Sequence, residues 1–235
     1  MKRGSLRVAM PSFESPPFFF QGKEGVEGTD VDIVRGIAHA LSVRLELVRE
    51  AISFNAVVEN VIRGDVDMGI GKISRTLARA RFVRFSDPYA VSRHALLLNR
   101  QAFASFAKGQ NNRPIIRRFD GSLGVIKGSS FADQTLQSFP QAKITLYERW
   151  EQLLDALVRG EVIAAYRDEA EMQRLLQQKP DLSLALRVIA FTDMQDSLSV
   201  VLPQESSQLL SLVNLYLAQR SRHALPQPHR TVTVS

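Results

Sequence analysis

The 235-residue sequence contains no cysteine, which excludes disulfide bonds, thiolate metal ligands and cysteine nucleophiles. It also lacks any run of about 18 apolar residues, so it predicts no membrane-spanning helix. The basic N-terminus is not followed by an apolar segment and therefore lacks the pattern of a secretory signal peptide. We expect either a cytoplasmic protein or a mature domain from a longer secreted or membrane-bound parent.

Composition and charge are those of a globular protein, with 45% hydrophobic and 23% charged residues. The formal net charge is +6, but the basic residues are spread along the chain without interleaved aromatics, so we expect no nucleic-acid binding. The segment GIGK (69–72) lacks the spacing of a phosphate-binding loop. Asp30 and Asp32 lie at the start of a predicted helix and suit its dipole, so we expect no metal and no cofactor.

Strand and helix patterns alternate along the chain, which predicts an α/β fold with parallel strands. Apolar residues at helical spacing predict a first helix that Thr29 or Asp30 would cap. The predicted strands are 6–10, 44–48, 66–71 and 196–203, and the predicted helices are 31–42, 56–64 and 209–217. The last residues, ALPQPHRTVTVS, predict a frayed tail.

The segment VVENVIRGDVDMGI (57–70) resembles LLDALVRGEVIAAY (153–166). Each predicts a helix, an Arg-Gly-acid turn and a buried strand. This repetition is typical either of any helix–Gly–strand unit or of two similar α/β lobes. Between the two segments, residues 99–122 are polar and poor in periodicity, which predicts an irregular excursion.

The segment GKISRTLARARFVRFSDPYAVS (71–92) is rich in arginine, and its arginines cannot all face one way on a helical turn. If 76–83 is such a turn, Ser74 or Thr76 caps it and Arg79 lies one turn along. Backbone N–H groups at a helix start, together with one guanidinium, bind a carboxylate through the helix dipole and bidentate hydrogen bonds. Spacing alone leaves both interpretations open and favours a solvated Arg79 on the helix surface.

Seven short pieces of the sequence occur in the order and spacing of one known family. The chain resembles the type II periplasmic solute-binding proteins of the polar amino-acid-binding family, bacterial extracellular solute-binding protein family 3, over residues 6 to 217. The matching pieces are PPF (16–18), GTDVDIVRGIAHAL (28–41), Phe54, KISRTLAR (72–79), FSDPY (85–89), GVIKGSS (124–130) and RDE (167–169).

The resemblance implies a site for the α-carboxylate of an amino acid. In the family this group is bound by a serine or threonine and by an arginine five positions later, which match Ser74 and Arg79. The resemblance therefore implies one inward arginine, Arg79, with Arg81 and Arg84 on the surface. The opposite lobe supplies N–H groups from a turn that opens a helix, which matches Gly128, Ser129 and Ser130.

The resemblance also implies contacts to the rest of the ligand. Phe54 matches the aromatic residue that flanks the ligand side chain, and Asp168 matches the aspartate that pairs with the α-ammonium group. Lys72 stands where the family often has glycine, and its backbone N–H remains available. Glu14 favours a cationic ligand side chain, whereas Lys72 and Arg167 favour an anionic one, so the side chain of the ligand is left open.

The fold implied by the resemblance is α/β and two-lobed, of the type II periplasmic-binding-protein class. Each lobe would hold a mixed, mostly parallel sheet flanked by helices. Lobe one would comprise residues 1–93 plus 196–235, and lobe two residues 94–195. Two crossing strands near 90–97 and 190–198 would form the hinge.

The function implied is that of a monomeric protein or domain that captures an L-amino acid or close analogue, without catalysis. It would act in the periplasm or outside the cell, for ABC import or for sensing, with a permease or a fused signalling or membrane domain as partner. The C-terminus lacks the final helix of many relatives, which raises the expectation of a sensor or accessory module.

Two alternatives belong to other function classes. The cyclohexadienyl dehydratases resemble these binding proteins and act on prephenate or arogenate, which requires a general acid in a dry cleft. Glu14 or Glu169 could in principle serve, but the spacing shows no acid–base pair. The other alternative is a degenerate pair of lobes used only for protein contacts. The intact binding residues of the family pattern, Ser74, Arg79 and Asp168, are evidence against such a loss of ligand binding.

Overall fold

A computed structural model of the protein describes residues 4–108 and 118–224. Within these ranges the chain forms twelve strands and nine helices, arranged around two five-stranded sheets and a small hairpin. The hairpin pairs β2 (Phe20–Gly22) with β3 (Gly25–Glu27). In this part of the chain no helix is both long and apolar enough to cross a bilayer.

The strand that runs through residues 5–11 is paired on both sides in the first sheet, and its side chains alternate between two cores. In spatial order its strands are β4 (Arg44–Ala51), β1 (Ser5–Pro11), β5 (Met68–Gly69), β12 (Val201–Leu202) and β6 (Arg84–Phe85). The pairings of β1 with β4 and β5 are parallel, and those of β12 with β5 and β6 are antiparallel. Leu6, Val8 and Met10 pack in one core and Ala9 in the other, as period-two alternation requires.

Four helices are associated with the first sheet: α1 (Thr29–Ala40), α2 (Phe54–Ile62), α3 (Leu77–Ala80) and α9 (Ser207–Ala224). The apolar stripe of α1 is buried, as its helical spacing predicts. The prediction that Thr29 or Asp30 caps α1 is wrong. The cap residue is Gly28 at φ 123°, where an added Cβ would lie 2.4 Å from the carbonyl oxygen of Phe18. The close approach of that backbone requires glycine.

The second sheet also combines parallel and antiparallel pairings. In spatial order its strands are β11 (Leu186–Leu198), β7 (Ala90–Asn99), β10 (Ala164–Asp168), β8 (Ser122–Ile126) and β9 (Lys143–Tyr147). β7 pairs antiparallel with β11 and β10, while β8 pairs in parallel with β10 and β9. Its helices are α4 (Arg100–Ala107), α5 (Ser130–Ser138), α6 (Trp150–Val158), α7 (Glu169–Gln178) and α8 (Leu182–Ala185).

The mixed α/β fold with two sheets confirms the predicted fold class. The strands expected near 90–97 and 190–198 are β7 and β11, and the end of β11 bridges to the first sheet through Leu198 and Ser74. The lobe boundaries themselves stay a prediction.

The expectation of an irregular segment over 99–122 is wrong at its start, because 100–107 form α4. Asn99 caps this helix by accepting a hydrogen bond from the backbone N–H of Ala102, and Phe103 and Ala107 are buried. The apolar stripe is only about one turn long and is flanked by polar residues, so the sequence pattern did not reveal it. The described residues do not include 109–117, which belong to the same expectation, or 225–235 of the expected tail. The first residue of that tail, Ala224, ends the last helix instead.

The two similar segments form the same unit in both sheets, a helix followed by a glycine and a strand. α2 is followed by Gly64 at φ 75° and β5, and α6 is followed by Gly160 at φ 76° and β10. The N–H of each glycine bonds to a carbonyl near the helix end, that of Val61 or Leu157. The left-handed backbone at the helix end explains why the turn contains glycine.

Alanine at either glycine is therefore expected to lower the free energy of unfolding by about 1–2 kcal/mol, through backbone strain alone. An added Cβ at Gly64 meets nothing within 4 Å, and at Gly160 its nearest neighbour is 3.9 Å away. Chemical denaturation of Gly64→Ala and Gly160→Ala measures this cost. Gly160→Asn serves as control and should cost less, because asparagine tolerates the left-handed region. Unchanged stability in both alanine variants would contradict the explanation.

Candidate functional site

The polar residues singled out in the sequence follow the carboxyl ends of parallel strands in both sheets. Lys72 and Ser74 follow β5 of the first sheet, Asp168 ends β10 of the second, and Ser130 follows β8. Ligand sites in α/β proteins lie at such strand ends. Here all four residues are buried, and the structure brings them into two connected clusters.

The first cluster is centred on Arg79, which is 5% exposed, whereas Arg75, Arg81 and Arg84 are exposed. Thr76 caps α3 and accepts a hydrogen bond from the backbone N–H of Arg79, which fixes the side chain at the start of the helix. Of the two caps predicted from the sequence, Ser74 and Thr76, the structure has Thr76.

The Arg79 guanidinium is held by neutral oxygen atoms. Nε and Nη2 donate to Asn55 Oδ1 at 3.1 and 2.7 Å, and Nη1 donates to the Ser74 carbonyl at 3.0 Å. Among the described residues no carboxylate lies within 4.0 Å of it. Burial lowers the pKa of Arg79, while the more distant charges of Asp133 and Asp196 act in the opposite direction.

Serine hydroxyl groups from both sheets meet beside Arg79. Ser130 Oγ donates to Ser74 Oγ at 2.9 Å and lies 3.2 Å from Asp196 Oδ2. His94 Nε2 lies 3.0 Å from Asp196 Oδ1, and the other ring nitrogen of His94 hydrogen-bonds the Tyr166 hydroxyl. Burial alone would raise the pKa of Asp196, but its close contact with His94 and its hydrogen bonds with Ser74 and Gln134 outweigh burial, so the pKa lies below its ordinary value.

The second cluster is an ion-pair network between the sheets. Lys72 Nζ lies 3.0 Å from Asp168 Oδ1 and 3.7 Å from Glu171 Oε1, and all three side chains are at most 5% exposed. Asp168 also caps α7 by accepting from the backbone N–H of Glu171. The Ser15 hydroxyl donates to Glu171 as well. The Asp168 carboxylate thus has two roles, as the cap of α7 and as the ion-pair partner of Lys72.

Two arginines complete this network. Arg167 lies 3.6 Å from Asp168 and 3.8 Å from Glu171, and Arg174 pairs with Glu171. Burial by itself would raise the pKa of both carboxyls. The positive charges of Lys72 and Arg167 outweigh burial, so both pKa values lie below their ordinary range and both groups are ionised at neutral pH.

The backbone of Lys72 is fixed from the first sheet. Its N–H donates to Asp30 Oδ2 at 2.9 Å, and the same oxygen accepts from the Tyr89 hydroxyl at 2.9 Å. Asp30 is fully buried, and its second oxygen has no hydrogen-bond partner among the described residues. Burial raises the pKa of Asp30 to about 7, against the lowering effect of these two hydrogen bonds.

The remaining predicted site residues surround the clusters. Phe54 begins α2 and packs edge to face on Phe13, with ring centroids 5.2 Å apart. Ser129 caps α5 by accepting from Ala132 N, and its hydroxyl donates to the Ile126 carbonyl, so its side chain is committed to the turn. Glu14 lies on the surface, where it accepts from Gln21 N, rather than among the buried groups. Their roles toward a ligand stay predictions.

Sequence reasoning missed Glu171 and Asp196 as members of these clusters and did not assign Asn55 to Arg79. Glu171 is three residues after the cap Asp168, a spacing that could have identified it. Asn55 had only its position next to Phe54 as a signal. Asp196 had none, because its partners come from β7, α5 and the segment before α3.

The two sheets are also joined next to Arg79 by a backbone hydrogen bond. Asn55 N donates to the Gly128 carbonyl at 3.1 Å. Gly128 has φ 70°, and an added Cβ there would lie 3.0 Å from Ser53. This arrangement can bind an anion at Arg79 and the serines, and it holds two carboxylates in contact with cations a short distance away.

Comparison with known proteins gives a consistent picture. The model of the bacterial extracellular solute-binding proteins, family 3, matches residues 6–223. Membrane-bound lytic murein transglycosylase F of Idiomarina loihiensis is 27% identical over 197 residues, covering 80% of this chain and 40% of that protein. Glutamine-binding protein of Geobacillus stearothermophilus is 24% identical over 185 residues, covering 77% and 67%. This chain therefore spans less than half the length of the transglycosylase it matches.

Among solved structures, an amino acid ABC transporter substrate-binding protein from Streptococcus pneumoniae, bound to L-arginine, has a TM-score of 0.76. The two chains are 24% identical, and the match covers 94% of this chain and 91% of that one. At this level of identity the likeness shows the fold.

The pKa of Asp30 leads to a test of stability against pH. Between pH 4 and 7 the folded protein keeps a proton on Asp30 that the unfolded chain has released, so its contribution to stability falls as pH rises and levels off above 7. From pH 5 to 8 this loss is roughly 2–3 kcal/mol. Denaturation of Asp30→Asn across this range should lack that loss, while Asp32→Asn, exposed on the same helix, should retain it. Parallel curves for wild type and Asp30→Asn would refute the assignment.

Proposed function

The chain belongs to the bacterial extracellular solute-binding proteins, family 3, and on this premise we propose that it captures an L-amino acid or a close analogue between two lobes. We assign residues 1–93 plus 196–235 to lobe one and residues 94–195 to lobe two. The ligand site comprises the two clusters where the strand ends of both sheets meet.

The observation that carries the proposal is the environment of Arg79. A buried guanidinium whose described partners are only an amide oxygen and a carbonyl oxygen retains its positive charge without a counter-ion in contact. Burying such a charge is costly unless an anion compensates it. A carboxylate bound bidentately, with further hydrogen bonds from Ser74 and Ser130, supplies that compensation.

The division of the site between the two sheets supports a closing mechanism. Arg79 and Ser74 belong to the first sheet, while Ser130 and Asp168 belong to the second. A ligand that contacts both sets binds the closed arrangement better than an open one, and this difference in affinity drives closure.

The dehydratase alternative is disfavoured by the protonation of the site. A general acid must hold a proton at working pH. Asp168, Glu171 and Asp196 instead have lowered pKa values and are ionised. Asp30, whose pKa is raised to about 7, is fully buried, and one of its oxygens is hydrogen-bonded to the Lys72 N–H and the Tyr89 hydroxyl. Of the two candidates from the sequence, Glu14 lies on the surface and Glu169 is paired with Arg93 at 2.8 Å. We therefore propose a non-catalytic binding role.

The similarity to two kinds of protein supports two alternative biological roles for ligand binding. Similarity to a glutamine-binding protein supports capture for an importer, with a permease as partner. Similarity to part of a murein transglycosylase supports a sensing or accessory module attached to a larger protein. We propose that the domain acts in the periplasm or outside the cell, as a monomer that recognises a small molecule.

Removing the Arg79 guanidinium is expected to weaken binding about 100-fold or more. A charge-assisted hydrogen bond contributes about 1.5–3 kcal/mol, and each 1.4 kcal/mol is tenfold in affinity. A thermal-shift panel of the twenty L-amino acids and their analogues identifies the ligand, since about 1,000-fold excess over Kd adds about 4 kcal/mol of stability. Calorimetric titration then compares wild type with Arg79→Gln.

Arg81→Ala is the control, because Arg81 is an exposed arginine two residues away. Denaturation without ligand establishes that both variants fold. Equal loss of affinity in both variants, or unchanged affinity in Arg79→Gln, would rule out the carboxylate role of Arg79.

A further inference from the structure

The side chain of Lys72 reaches from the first sheet into the carboxylate pair of the second. Its ammonium group contacts both Asp168 and Glu171, and it lies 5.2 Å from the centroid of the Phe18 ring. It is thus in ionic contact on one side and in cation–π contact on another, both of which favour a charged lysine.

The backbone conformation of Lys72 is unfavourable for any residue with a side chain. Its φ is 55°, in the left-handed region where glycine is preferred, and the residue is 7% exposed. Its N–H is fixed by Asp30, so the side chain starts from a set position. The strain and the burial of a charge are offset by its contacts with the two carboxylates and with the Phe18 ring.

The charges around the carboxylate pair already exceed what the pair can neutralise. Lys72, Arg167 and Arg174 supply three positive charges within ion-pair distance of the two negative charges of Asp168 and Glu171. Another cation entering this cluster meets like charges at short range in a poorly solvated space. Lys72 would have to leave, and its fixed backbone gives it no described alternative partner.

We propose that Lys72 takes the part of a ligand ammonium group at Asp168, so that the preferred ligand is a carboxylate whose α-substituent is uncharged. A 2-hydroxy acid or an N-acylated amino acid has this chemistry. The inference rests on the proposed function, since Arg79 still receives the carboxylate. Lys72 is then the residue that determines specificity for the α-position.

The test uses ligands that differ only at the α-position. For the side chain selected by the thermal-shift panel, calorimetry compares the L-amino acid, its Nα-acetyl derivative and the corresponding 2-hydroxy acid. Wild type is expected to bind the Nα-acetyl derivative or the 2-hydroxy acid, whose α-substituents are uncharged, at least 10-fold more tightly than the zwitterionic amino acid. Lys72→Gly, which also removes the left-handed strain, is expected to reverse the order.

Lys72→Met is the second variant, in case the glycine variant fails to fold. It keeps most of the aliphatic stem and removes the charge. Lys127→Ala is the control, since Lys127 is a surface lysine paired with Glu148. If wild type prefers the zwitterion, or if neither Lys72 variant shifts the preference, the inference is overturned while the proposed function stands. If neither wild type nor the Lys72 variants bind any form, the proposed function fails and the inference with it.

Discussion

The contact between Lys72 and Asp168 determines how the two sheets meet. Both partners are buried, so each gives up its hydration and depends on the other for compensation. Asp168 also fixes the start of α7, and the backbone of Lys72 is held by Asp30 in the first sheet. The ion pair therefore joins two rigid frameworks, and Ser74 and Ser130 form a second contact between the same two sheets beside Arg79.

Those features of the site that depend on local sequence could be predicted. Ser74 and Arg79 lie five residues apart around a capped turn, so their proximity is built into the chain before any tertiary contact forms. Asp168 similarly ends a strand and starts a helix. The alternation of strands and helices gave the fold class because period and turn chemistry agree in nearly every element.

The parts that could not be predicted depend on contacts between distant segments. Asp196 acquires its neighbours from three different elements, and no spacing in the sequence encodes that meeting. The direction of the Lys72 side chain is another example, because a lysine beside a glycine-rich turn is ordinarily solvated. Gly28 caps α1 only because the backbone of Phe18 approaches it, a constraint that local propensity does not contain.

Asn55 has two roles that belong to different levels of the structure. Its backbone N–H bonds to Gly128 across the sheets, and its side chain orients the guanidinium of Arg79. Movement of one sheet relative to the other therefore changes the pose of the anion-binding group. Affinity for the anion and the distance between the sheets are therefore linked. A partner molecule that binds one spacing of the sheets in preference to another thereby distinguishes the occupied site from the empty one.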